Sequence, residues 1–517
     1  MLRKLRLISQ VLFFFLFLVL LVLTSYRGSD EIRYPVRIFL EFDPLIGLTT
    51  FLASHQIPLL LLLGILTLVL TFLFGRVFCG WICPLGTLNH AIGWLASHSR
   101  GQHPNLRLLS FRLKYYVLVF FLVASVFSLQ WVGILDPISL LIRSMTLAVE
   151  PIFNWLVHGL FALLYFSNID LITLWSEPLY DVLKGSILSF RQPHFHQGLL
   201  VGLLFALVLL LNLVHKRFWC MVLCPLGGLL GVIARFSRFE RLIDDSCNEC
   251  GACIPDCFQG QKESLPRGWL KSECLVCGNC QDVCPHTALR FKAVGRSSAS
   301  SGGPNLARRN LILSGLSAVV AVPLMRVRAG ELRPNPKLIR PPGALSESEF
   351  LKRCIKCGEC MKVCLTNGLQ PTLFEAGIEG IWSPILVSRI GYCQYYCTLC
   401  GQVCPSGAIR TLSQAEKEKV KIGLAFIDKS RCLPYTQGIP CIVCEEHCPT
   451  PKKAIWFEEA VVIGRDGEKR RIKQPIVDID LCIGCGICEY KCPVVDQPAI
   501  YVTSIGESRS EQNRLTL

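Results

Sequence analysis

The chain opens on a basic start and then an apolar run of about twenty residues, within "MLRKLRLISQVLFFFLFLVLLVLTSY", long enough to cross a hydrocarbon core of ~30 Å. A secretory signal would have a shorter apolar stretch and a small-residue cleavage site, so the pattern predicts a retained helix that starts in the cytoplasm. Further apolar runs predict spans near 57–78, 115–135 and 197–216. Residues 151–167, "PIFNWLVHGLFALLYFS", compete as another span. Counting them would reverse the sidedness of everything that follows, so an interfacial or re-entrant segment is expected there. Arg100, Arg107, Arg112 and Lys114 follow the second span without an acid among them, and Lys216, Arg217, Arg235, Arg238 and Arg241 follow the fourth. The segments on the other side carry Asp30, Glu31, Glu41 and Asp43, then Asp136, Glu150, Asp170, Glu177 and Asp181. The positive-inside tendency therefore places residues 80–114 and the stretch after 216 on the cytoplasmic face.

A repeat runs through this region. "EFDPLIGLTTFL" (41–52) and "ILDPISLLIRSM" (134–145) each precede an apolar run, which ends in "FCGWICPLG" (78–86) or "FWCMVLCPLG" (218–227). The pattern reads as a duplicated membrane unit. Each motif puts two cysteines one helical turn apart if the helix continues, with Pro84 or Pro225 loosening or ending it just beyond. A pair alone is equally a buried thiol pair or a disulfide. Duplication brings Cys79, Cys83, Cys220 and Cys224 to one face, as a joint site for a metal or iron–sulfur centre.

Hydropathy falls after residue 241, and four segments result: a membrane domain over 1–241, a cysteine-rich domain over 242–293, a linker and signal-like segment over 294–330, and a soluble-like domain over 331–517. "VGRSSASSGGPN" (294–305) reads as flexible linker. Arg308 and Arg309 then precede a short apolar stretch, like a twin-arginine export signal placed inside the chain. Cleavage near Ala329 and retention as a fifth span are the two outcomes this leaves.

Composition agrees with the pattern. Hydrophobic residues at 51%, mean hydropathy of +0.45 and charged residues at 18% exclude a purely soluble protein. The net charge of +15 belongs to membrane orientation rather than to nucleic-acid binding.

The chain has 28 cysteines, and none is left over once the two C-x3-C pairs and six groups of four are counted. Cys247, Cys250, Cys253 and Cys257 share the spacing C-x2-C-x2-C-x3-C with Cys274, Cys277, Cys280 and Cys284. In that spacing three thiolates wrap one [4Fe-4S] cubane and the fourth ligates the partner cluster. Structural zinc takes two separated knuckles instead. The assignment is Cys247, Cys250, Cys253 with Cys284, and Cys274, Cys277, Cys280 with Cys257. Cys354, Cys357, Cys360 and Cys364 keep the regular spacing, as do Cys482, Cys485, Cys488 and Cys492. Cys393, Cys397, Cys400 and Cys404 open with x3, while Cys432, Cys441, Cys444 and Cys448 carry the insertion "LPYTQGIP". The two regular motifs are expected to pair with each other, and the two irregular ones likewise. Gly251, Gly278, Gly358 and Gly486 follow the second cysteine, where a tight turn is useful. Six one-electron clusters in one chain point to electron conduction. The fold class expected is an α-helical membrane domain of four spans in a duplicated unit, with the alternative fifth, followed by α+β bacterial-type ferredoxin domains.

On these motifs residues 1–290 resemble NapH, the membrane component of periplasmic nitrate reductase systems, and the related nitrous-oxide-reductase-associated regulators; residues 305–517 resemble NapG. The resemblance implies a quinol dehydrogenase module of the bacterial inner membrane. It would carry six [4Fe-4S] clusters, with residues 242–293 cytoplasmic and 331–517 periplasmic. Its partners would be the quinol pool and a periplasmic multihaem cytochrome or reductase. Asp43, Asp136, His158, His194 and His196 are candidates for the quinol site. Two other functions fit the same motifs: a maturation factor that reduces a metal or thiol of a partner enzyme, and an outward relay from a cytoplasmic donor.

Overall fold

The computed structural model describes residues 2–56, 59–99, 111–166, 170–189, 191–258, 269–293, 306–326, 335–463, 469–511 and 513. The chain divides into two compact units, each assembled from separate stretches: 1–23, 34–145 and 199–324 form the first, and 24–33, 146–198 and 325–517 the second. The linker at 294–305 and the expected cleavage position near Ala329 lie outside the described residues.

Three described helices are long and apolar enough to cross a membrane: Leu2–Leu23, Pro137–Phe166 and Arg308–Arg326. Of residues 151–167, expected as an interfacial segment, 151–166 form the end of helix Pro137–Phe166, which by length and composition is also able to cross a membrane. The expected spans at 57–78, 115–135 and 197–216 are shorter helices, Gly64–Phe74, Leu113–Val126 and Gly198–Leu213. Backbone events break these apolar runs. The first begins in a 3-10 turn at Leu59–Leu63 and stops at Gly75, whose φ of +79° closes the helix. The second stops at Phe127, before Ser128 with φ +62°.

In the first unit the repeated Asp-Pro dipeptides do the same job twice. Asp43 caps helix Pro44–Ser54 by accepting from the backbone N–H groups of Leu45 and Ile46 at 2.9 and 3.3 Å. Asp136 caps helix Pro137–Ser144 by accepting from Ile138 and Ser139 at 3.0 and 2.9 Å. Proline at the first helical position lacks the N–H that would otherwise be orphaned, and the carboxylate satisfies the next two. Beyond the helices, strands Phe239–Ile243 and Leu289–Ala293 pair antiparallel and bracket the two cysteine motifs of 247–284.

The second unit is an α+β assembly. Antiparallel strands Leu424–Ile427 and Ile500–Thr503 enclose the motifs of 432–448 and 482–492, between which lies a hairpin of two nine-residue strands, Ile455–Ile463 and Lys469–Val477. Segments 24–33 and 146–198 pack against the motifs of 354–404. Asp30 accepts from the Thr398 N–H at 3.0 Å and its hydroxyl at 2.9 Å, and Lys362 forms an ion pair with Glu150 at 2.5 Å.

Glu347 ties the two ends of this unit together. It receives Arg340 at 2.6 Å and Arg509 at 2.9 Å, and Arg340 also stacks on Phe350 at 4.5 Å. Burial would raise the Glu347 carboxyl, but the two guanidinium groups pull it down from 4.5 to about 2. A depressed folded-state value stabilises above the unfolded value and loses that stability as pH falls towards the folded one. Glu347→Gln should therefore lower the unfolding free energy at pH ~7 by roughly 3 kcal/mol, as for a broken buried network, and with it the thermal midpoint. The gap from the parent should stay constant down to about pH 5 and narrow below pH ~4.5; a gap that widened on acidification would contradict this assignment.

Candidate iron–sulfur centres

The repeated C-x3-C-P-L-G motif does not continue an α-helix. Phe78–Ile82 and Trp219–Leu223 each form one π-turn, closed by Cys83 N–H to Phe78 O and Cys224 N–H to Trp219 O, both at 2.9 Å. Pro84 and Pro225 do not end a helix, as the sequence implied; they begin the next ones, Pro84–Ser99 and Pro225–Ala234. The second cysteine of each pair is extended (φ −60°, ψ 119° and φ −64°, ψ 112°) and stands as the cap. Cys224 Sγ accepts from Gly227 N–H at 3.2 Å, and Cys83 receives the Gly86 N–H in the same way. The glycine is required by space: a Cβ at Gly86 would lie 2.7 Å from Cys79 O, and one at Gly227 would lie 2.9 Å from Arg76 Nη2. Each part of the motif thus has a mechanical reason.

All four thiols are buried and face one region. Cys83 lies within electrostatic range of Cys220 and Cys79, and Cys224 within range of the other three. Among the described residues no three His, Cys, Asp or Glu side chains form a group that could hold a single metal ion. Thiols that ligate a cubane stand farther apart than those on one ion. Two arginines occupy equivalent places three residues before each pair, Arg76 at 0% and Arg217 at 1% exposure.

This region touches the 247–284 domain through backbone. A Cβ on Gly80 would lie 2.6 Å from the carbonyl oxygen of Leu275, which stands between Cys274 and Cys277. Trp81 Nε1 donates to Val276 O at 3.2 Å. Val276 itself takes φ +49°, a strained conformation for a β-branched residue. Glu273 supports the contact: it accepts from Arg76 at 2.9 Å, from Tyr115 Oη at 2.7 Å and from Lys114, all fully or nearly buried. Burial would raise the Glu273 carboxyl, yet Lys114 and Arg76 hold it below the ordinary carboxylate range.

In all four regular motifs the residue just before the second cysteine and the glycine just after it have positive φ: Glu249 and Gly251, Val276 and Gly278, Lys356 and Gly358, Gly484 and Gly486. Successive turns of this kind direct backbone N–H groups inwards, a concavity suited to an anionic cluster. The glycine after the cysteine is readable from sequence, whereas the strained residue before it has no fixed residue type.

Cys253 lies in range of Cys284 and Cys247, while Cys274 and Cys280 lie in range of Cys277 and Cys257. In the second unit neighbouring motifs pair, each regular one with the irregular one beside it. Cys354, Cys357 and Cys360 have Cys404 as neighbour, and Cys393, Cys397 and Cys400 have Cys364. Likewise Cys432 faces Cys441 and Cys492, and Cys482 and Cys485 face Cys448. The expected pairing of regular with regular is therefore corrected. Spacing within a motif says nothing about its partner, whereas proximity in the chain favours the neighbour. Burial pushes the Cys485 and Cys280 thiols up to about 12, so the thiolate form calls for a bound cationic centre. These donor sets fit four-iron clusters.

The quinol-site candidates separate. Asp43 and Asp136 are fully buried and lie beside each other. The histidines lie in the other unit: His158 Nδ1 meets Tyr180 Oη at 2.7 Å, and His194 O accepts from Asn367 at 2.6 Å, with the His196 ring 6.0 Å from that of His194. The sequence reading also missed an apolar cleft of about 650 Å³ in the first unit, lined by Tyr116, Phe120, Phe121, Trp131, Leu135 and Leu313.

Over 223 residues, 42% of this chain and 93% of the relative, the sequence is 33% identical to the ferredoxin-type protein NapG of Escherichia coli K12. The chain belongs to the NapG/MauM family of ferredoxin-type proteins. The methylamine utilization ferredoxin-type protein MauM of Methylorubrum extorquens is 34% identical over 204 residues, 38% of this chain and 88% of the relative. A family model described as a 4Fe-4S binding domain matches twice, over residues 56–102 and 197–242, the two segments that hold the C-x3-C pairs. No solved structure matches. As a member of the NapG/MauM family the chain is an iron–sulfur electron-transfer protein.

Glu273→Gln preserves shape but leaves Arg76 and Lys114 without their shared anion. It should destabilise the first unit by about 3–5 kcal/mol and speed limited proteolysis after residue 241; unchanged protease resistance would show that the carboxylate does not hold this contact.

Proposed function

We propose that this protein is a NapH-type and a NapG-type component joined in one chain, carrying electrons between membrane quinol and a periplasmic redox partner. The observation that carries the reading is the backbone contact between Gly80 and Leu275, which joins the four-cysteine region to a ferredoxin motif without an intervening side chain. Each four-iron cluster supplies one-electron transfer when bound. The six groups of four cysteines hold six such clusters, and Cys79, Cys83, Cys220 and Cys224 hold a further iron–sulfur centre, a reading supported by the two 4Fe-4S domain matches.

Sidedness follows from what each ferredoxin rests on. Residues 271–276 bond to Trp81 and Lys114, from the basic segment 80–114 expected on the cytoplasmic face, and to Arg76 at the end of the span before it. The motifs of 354–404 bond to Asp30, Glu150 and Arg191, from the acidic set that faces the periplasm. This arrangement supports the assignment of residues 242–293 to the cytoplasm and 331–517 to the periplasm, with helix Arg308–Arg326 retained as the connecting span.

For quinol, the cleft beside Leu135 offers aromatic walls and the Tyr116 hydroxyl, which has no hydrogen-bond partner among the described residues. The next residue, Asp136, is buried beside Asp43, so two carboxyl groups stand together next to the cleft. Oxidation of a quinol to a quinone releases two protons and two electrons; the two carboxylates would take up the protons, and the clusters would take the electrons one at a time. Both side chains keep their capping role as asparagine.

Asp136→Asn and Asp43→Asn should therefore retain iron content but slow cluster reduction by a quinol analogue in membranes at least tenfold; an unaltered rate would remove the pair from the quinol site. Total iron should be roughly 28 per chain, from seven four-iron centres. It should fall by about four in Cys79→Ser, and a parent value of roughly 24 that Cys79→Ser left unchanged would eliminate the seventh centre.

A further inference from the structure

Arg217 is buried, permanently charged and lacks a carboxylate. It is 1% exposed, takes φ +56°, donates from Nη1 to Cys79 O at 3.4 Å, and stacks on the Phe258 ring at 4.7 Å. Its Nε and Nη2 have no hydrogen-bond partner, and no acidic side chain forms an ion pair with it among the described residues. A guanidinium keeps its charge at every accessible pH. Burying it without an anion is strongly unfavourable, so the structure must supply one.

The repeat makes the gap visible. Arg76, in the equivalent place, has the Glu273 carboxylate at 2.9 Å. Arg217 has four thiols instead, Cys220, Cys277, Cys83 and Cys79, within electrostatic range. Three of these belong to the C-x3-C pairs and one to the motif of 274–284. Arg6 lies 5.8 Å from the same ring and is also within range of Cys277, so positive charge gathers here.

We propose that Arg217 is the buried counter-charge of an anionic thiolate centre formed by the two C-x3-C pairs, shared with the cluster ligated through Cys277, and that it holds the reduction potentials of both up. The proposal rests on the reading that those pairs bind an iron–sulfur centre. Reduction adds one electron and no proton to a centre that is already negative, and a fixed positive charge beside it favours that form. Arg217 is thus a positioning residue that acts through charge, and it explains why Arg-x2-Cys precedes both motifs.

The test uses the full chain, purified with its clusters, and compares Arg217→Gln with Arg217→Lys. Iron and sulfide are counted, and each centre is titrated by EPR. With iron retained, Arg217→Gln should reduce the equilibrium constant for one-electron reduction of the C-x3-C and Cys277 centres about tenfold, a shift of ~59 mV to lower potential. The four centres of residues 354–492 should not move, and Arg217→Lys should stay within about threefold of the parent. Potentials unchanged in Arg217→Gln with full iron would overturn the proposal. If Arg217→Gln does not accumulate, it is placed on Cys79→Ser/Cys220→Ser, which lacks the anion. There it should raise the yield and thermal midpoint, and failure to do so would overturn the proposal. The two readings fail differently: a centre present but indifferent to Arg217 removes only the counter-charge, whereas Cys79→Ser with unchanged iron removes the centre itself.

Discussion

A single carboxylate with two cations and a phenol around it fixes the geometry of the first unit. Glu273 sits one residue before Cys274, and its partners Arg76, Lys114 and Tyr115 come from the ends of two apolar helices, Gly64–Phe74 and Leu113–Val126. None of these groups is tolerable alone at such burial, so each requires the others. Their assembly seats the Cys274–Cys277 loop on the π-turn of Cys79, where Gly80 leaves no side chain in the way. This close approach comes from removing a Cβ rather than from adding a contact.

The second unit solves a comparable problem with loops. Asp30, Glu150 and Arg191 each reach backbone or side chains within a few residues of a cluster cysteine. The segments that carry them lie hundreds of positions earlier in the chain. Carrying these segments and the cysteine motifs in one chain keeps such contacts intramolecular, and their high effective concentration lets modest hydrogen bonds suffice.

The chemistry was easier to read in the sequence than the backbone was. Cysteine spacing and the duplicated Asp-Pro and C-x3-C-P-L-G elements are local, and their residue types are dictated by bonding, so they were visible at once. Helix extent was not: the apolar runs near 57–78 and 197–216 are interrupted by 3-10 turns that hydropathy cannot register. Proline misled for a related reason, because Pro84 can end one helix or begin another, and only the π-turn before it decides. Motif pairing in the second unit was misjudged since cysteine spacing carries no information about which neighbour completes a cluster. The role of Glu273 depended on partners about 160 and 200 residues away, a separation that no pattern argument spans.

Duplication explains the symmetry of the four-cysteine region, and the departures from it locate the direction of contact. Gly80 has Met221 as its counterpart, and Arg76 has Arg217. Met221 is fully buried in an apolar cluster with Phe111, Phe218 and Val222, so the second repeat packs inward where the first opens to the Leu275 loop. The carboxylate goes with the open repeat and the unpaired guanidinium with the closed one. Had both repeats kept a glycine and a glutamate, two ferredoxin loops would have competed for the same backbone surface. One docking side and one inward-packed side keeps Glu273, Arg76 and Lys114 together at a single loop, where each buried charge has its partner.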